Sequence, residues 1–128
     1  MSDKDLRWEG SSKRNLLDMP EEVIREFGFV LRAVQKGQNH PSIKNWTGAS
    51  GVYEIRVSDP DATYRTVYVA SLPDAIYVLH AFQKKSSSGI KTSQIDKDMV
   101  AARLKKAQRT SDKVMADRAA ASQQNKGK

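Results

Sequence analysis

"GVYEIRVSDPDATYRTVYVASLPDAIYVLHAF", residues 51–82, holds three β-strand signals joined by two tight links, and its reading decides the fold. Tyr53, Ile55 and Val57 alternate with Glu54 and Arg56. That period of two puts one strand face on a core and leaves the other charged. Asp59, Pro60 and Asp61 are turn formers, and a second turn surrounds Pro73 in "SLPD". Links this short join antiparallel neighbours, so the stretch predicts a meander. Its third strand is apolar on both faces from Ala75 to Phe82, as a central strand is.

Outward from the meander, the signals become helical. Val23, Ile24, Phe27, Val30, Leu31 and Val34 recur at helical spacing, and Gly37 supplies a left-handed stop. Asp18 and Glu21 frame Pro20 as a capping box for this helix, and Ser12 caps a shorter helical turn before it. "LRWEG", residues 6–10, reads as a short first strand, and residues 38–51, with Pro41, Gly48 and Gly51, read as loop. On the far side, Ser93 and Asp96 start a helix whose apolar face would be Ile95, Met99, Ala102 or Arg103, and Leu104. Beyond about Thr110 few apolar anchors remain, which predicts a fraying helix. The predicted class is α+β, in the order β-α-α-β-β-β-α.

The 128 residues fit one domain and leave no room for a second catalytic module. The absence of cysteine removes disulfides, thiolate metal sites and cysteine nucleophiles. His40 and His80 lack ligand spacing, and "SSSGIKT" lacks the first glycine and the G-K-[ST] ending of a phosphate-cradling loop. No secretion signal or bilayer-length apolar run is present, so no membrane partner and a cytoplasmic location are expected. Net charge is +7, and its excess is concentrated late: residues 91–128 hold 10 Lys/Arg against 4 Asp/Glu. A basic balance of this kind favours a polyanionic partner. "HAFQKKSSSGIKT", residues 80–92, sets two like charges side by side at the mouth of the sheet. With Arg56 and Arg65 on neighbouring strands, these cations can converge at one sheet edge.

The meander, with W-x-G-S-S at 8–12 and K-x-W-x-G at 44–48, resembles the phage-derived branch of the RelE/HigB toxin superfamily over roughly residues 6–107. Its most specific part is the pair "YR-x-VYVA" and "DAIYVLHAFQKK" at this separation. The resemblance implies a RelE-like fold: a small antiparallel sheet, two N-terminal helices packed on one face, and a C-terminal helix. It implies a toxin domain over residues 1–109, followed by a basic tail over 110–128 that is partly helical or disordered. By resemblance, the activity is that of a metal-independent and cofactor-free endoribonuclease that cuts messenger RNA on the ribosome through the 2′-hydroxyl. A cognate antitoxin, of the helix-turn-helix type in HigB-like pairs, silences it. The alternatives are a ParE-like DNA gyrase inhibitor, which keeps the fold without the nuclease chemistry, and a non-catalytic nucleic-acid-binding module.

The same resemblance assigns roles. Arg65 matches the phosphate-binding arginine, and Arg56 falls where relatives carry a strand cation facing substrate. Arginine suits a phosphate because its planar donors grip two oxygens at once and stay charged. Lys84 or Lys85 matches the basic residue after the last strand and is a candidate base or acid. His80 is either a proton shuttle or a hydrogen-bonded core histidine. Glu54 either pairs with Arg56 or acts as a base, Lys44, Lys91 and Glu54 are candidate RNA-binding residues, and Trp8 and Trp46 either stack on bases or cap the core. No tyrosine follows the last strand, where several RelE relatives place an acid, so the proton donor is open.

Overall fold

The computed structural model describes residues 3–85 and 93–126, with backbone alone for Lys85 and for residues 124–126. Eight elements follow in order: β1 (Asp5–Trp8), α1 (Ser12–Leu17), α2 (Glu21–Gln35), β2 (Ile43–Asn45), β3 (Val52–Ser58), β4 (Ala62–Val69), β5 (Ala75–Lys85) and α3 (Gln94–Lys126). They form one five-stranded sheet in the order β1-β5-β4-β3-β2. The α+β class and the order of the expected elements hold, and the meander is antiparallel through β3, β4 and β5.

Two features correct the expected sheet. It is mixed, because β1 runs parallel to β5 after the chain crosses through α1 and α2. A further strand, β2, lies inside the segment read as loop, with Ile43 opposite Ile55. Three residues are too few to show alternation; the neighbouring bonds from Arg56 N to Ser42 O and from Trp46 N to Val52 O, each 3.0 Å, tie the segment to β3.

Each sheet face has its own core. Val23, Phe27, Val30 and Leu31 of α2 meet Ile55, Tyr64, Tyr68, Ile76 and Val78 on one side. On the other, α3 covers Val52, Val67, Val69, Tyr77, Leu79 and Phe82. The stop of α2 is as expected: Gly37 sits at φ +75° and Gln38 N–H reaches back to Ala33 O at 2.9 Å. The predicted capping box is absent; Asp18 ends α1, and Pro20 occupies the N-cap of α2 with no side-chain cap. Ser11 rather than Ser12 is the N-cap of α1, while buried Ser12 donates to Val78 O at 3.1 Å.

The packing of α3 differs most from expectation. Ile95 is exposed, and the inward positions are Val100, Ala107 and Ser111, with Arg103 and Leu104 half buried beside them. Polar bonds replace an apolar stripe. Asp96 meets His80 Nε2 at 2.7 Å, Arg103 donates to Leu79 O at 2.9 Å and to Ser11 Oγ at 3.0 Å, and Ser111 donates to buried Asp74. The guanidinium of Arg103 passes over Gly10, where a Cβ would stand 2.8 Å from its Nε. Asp74 also accepts from Tyr77 at 2.6 Å and lies 3.6 Å from Arg7. Burial pushes its carboxyl up, but the Ser111 and Tyr77 donors and the Arg7 charge outweigh burial and hold it below the ordinary range. Burial and the Asp74 carboxylate together push the Tyr77 hydroxyl up to about 12. The helix crosses the expected 109/110 boundary unbroken and continues to Lys126. Among the described residues no helix is long and apolar enough to cross a membrane.

Candidate functional site

In the β3–β4 ladder Arg56 and Arg65 lie directly opposite each other, and directly opposed residues share a face. That face is the one α3 covers. Glu54, two residues back on β3, shares it. The charged side of β3 is therefore solvated only in part: Glu54, and Arg65 across the ladder on β4, have side chains only 3% and 4% exposed.

Glu54 accepts a short hydrogen bond from Arg56 Nε through one oxygen, and its other oxygen lies 3.7 Å from Arg65 Nη1. One carboxylate thus holds two guanidinium groups that would otherwise repel across the ladder. Burial pulls the Arg65 guanidinium below its ordinary range, with Glu54 opposing that pull and Arg56 adding to it. Arg56, at 43% exposure, reaches solvent. A hollow of about 230 Å³ opens above this triad, walled by Asn45, Trp46 and Thr47 from the end of β2 and by Lys97 from the first turn of α3. Three cations and one carboxylate line it, a charge balance that suits a phosphodiester.

The other expected residues lie elsewhere. The bulge at Leu79 shifts the β4–β5 register, so that Val67 faces His80 and Tyr68 faces Val78. His80 therefore leaves the face of Ile76 and Val78, where simple alternation placed it, and stacks on Phe82 at 4.9 Å under α3. There it is a buried histidine bonded to Asp96, with Arg103 Nη1 3.5 Å from its Nδ1, and it does not line the cation hollow. Lys84 shares the face of Phe82 by register but sits beyond it, opposite Thr63, and does not line the hollow either. The side chain of Lys85 falls outside the described ones. Lys44, opposite Glu54 on the edge strand, is exposed. Lys91 falls outside the described residues. Trp8 is half buried beside the α2 core, whereas Trp46 belongs to the α3-side core and also walls the hollow.

Lys97 is the residue that sequence reading missed. Its signal lay in the cap: Ser93 Oγ accepts from Asp96 N at 3.2 Å and donates to Asp96 Oδ2 at 2.6 Å. This fixes the first turn of α3, and with it the direction of the lysine that follows Asp96.

His80 also makes stability depend on pH. Burial, the dominant influence, pulls its imidazole below the usual 6.5, although Asp96 works the other way. Below the usual value the unfolded chain takes up a proton that the folded one resists. Stability is thus complete above about pH 6.5 and falls as pH drops toward the folded value. Urea titrations of His80→Gln should show a smaller loss between about pH 7 and pH 5 than wild type shows. Equal slopes would mean that His80 is not the group responsible.

Comparison with curated proteins and with solved structures returns no match. A family model described as "Phage derived protein Gp49-like (DUF891)" matches residues 14–106, a span that includes Glu54, Arg56, Arg65, His80 and Lys97. With nearly three quarters of its length inside that match, the chain belongs to the Gp49-like family of phage-derived proteins, a family associated with the toxins of toxin–antitoxin systems.

Proposed function

We propose that the protein is a RelE/HigB-type toxin, a metal-independent endoribonuclease that cuts messenger RNA on the ribosome and is held inactive by a cognate antitoxin of the helix-turn-helix type. The observation that carries this reading is the opposed pair Arg56 and Arg65, joined through Glu54 at the floor of an open cationic hollow. A scissile phosphate seated between the two guanidinium groups meets fixed donors at the oxygens where charge builds, which is usually the largest catalytic contribution.

The reaction balances within the side chains lining the hollow. Glu54 takes the proton of the 2′-hydroxyl, the 2′-oxygen bonds to phosphorus, and the bond from phosphorus to the 5′-oxygen breaks. Lys97 supplies the proton to the departing oxygen. The products are a 2′,3′-cyclic phosphate and a 5′-hydroxyl end, and solvent restores both groups. His80, bonded to Asp96, and Lys84, outside the hollow, take no part in this scheme.

Mapping transcript ends in bacteria that produce the protein tests the reading. New 5′-hydroxyl ends should accumulate within translated messages, and should disappear from the same messages once their start codons are removed. Intact messages accompanied by broken chromosomal DNA would replace this reading with gyrase inhibition.

A further inference from the structure

A second hollow, of about 450 Å³, lies between residues 46–49 and α3. It is continuous with the cation hollow, because Trp46, Thr47 and Lys97 line both. Its floor is apolar, made by Trp46, Val100 and Leu104. Its rim is polar, with Lys105 and Gln108 exposed about two and three turns beyond Lys97 along α3. The acid on this rim, Asp98, already accepts from the Gln94 amide at 2.9 Å.

An apolar floor with an amide and ammonium groups at its edge matches a nucleotide. A base has an apolar face to bury and a hydrogen-bonding edge to be read, and its phosphate seeks a cation. An RNA strand with one phosphate between Arg56 and Arg65 can follow the shared wall straight into this groove. Charge and continuity therefore both favour the same strand as the occupant. We propose that the groove between residues 46–49 and α3 holds the nucleobase adjoining the scissile phosphate and sets the sequence preference of cleavage, with Gln108 reading the base edge and Lys105 meeting the backbone. This rests on the nuclease reading above.

Two variants outside the cation hollow test it: Ala101→Phe, which fills the groove from exposed Ala101, and Gln108→Ala, which removes the amide. In cells, both should still cut messages, but with the base preference beside the cut flattened. A second measurement uses purified Trp8→Phe protein, whose only tryptophan is Trp46, titrated with short 2′-O-methylated RNAs that cannot be cut. Trp46 emission should report affinities that differ by about tenfold or more between bases at the preferred position. Gln108→Ala in that background should erase the difference. Wild-type cutting combined with unchanged preference in both variants overturns the groove assignment and leaves the nuclease reading standing. Wild-type protein that neither cuts nor binds RNA overturns both.

Discussion

Arg65→Ala leaves a folded protein whose message cleavage falls by about 10²–10³-fold, the usual loss when one fixed donor to a developing charge is removed. The fold survives because Glu54 keeps its hydrogen bond from Arg56, so its carboxylate is not left alone in the core. Arg65→Lys does not restore the activity, since an ammonium supplies a point charge where two parallel donors are needed. Counting 5′-hydroxyl ends at matched protein levels, with a urea titration beside it, separates lost chemistry from lost folding. Cleavage at the wild-type rate by folded Arg65→Ala protein would remove Arg65 from the site. Both the scheme and the family resemblance would then lose their phosphate anchor.

Glu54→Ala has the largest effect on stability, a loss of about 3–5 kcal/mol, because it breaks a buried ion pair by removing the carboxylate 3.7 Å from the Arg65 guanidinium. The side chains of this pair are 3% and 4% exposed, so water compensates for the missing carboxylate less than it does at Arg56, which is 43% exposed. Glu54→Leu combined with Arg65→Met should recover most of that loss, since apolar groups of similar volume often replace a buried ion pair at little cost. The measurement is a double-mutant cycle on urea midpoints. Additive losses would show that the two side chains do not interact across the 3.7 Å that separates them.

The contrast between those two residues shows what a sequence reveals. Alternation along 53–57 and two Pro-containing turns made the meander legible, and with it the shared face of Arg56 and Glu54. Alternation could not show that Glu54 is buried, because burial comes from α3, whose inward residues carry no apolar rhythm. Val100, Ala107 and Ser111 are spaced as a helix requires, but one is small and one polar, while the more hydrophobic Ile95 faces water. Lys97 was hidden for the same reason. The bulge at Leu79 misplaced His80, since one extra residue reverses the inside and outside of every position after it. Strand β2 contributes Asn45 to the hollow, yet at three residues it gives no period to read.

A greasy stripe tells a helix only to lie down, whereas directional bonds tell it where to stop. Sliding α3 by one turn would part Asp96 from His80 and Ser111 from Asp74 at the same moment. The helix is indexed like a ruler pinned at two marks. The aim of the Lys97 ammonium is therefore settled partly by a serine hydroxyl about four turns away.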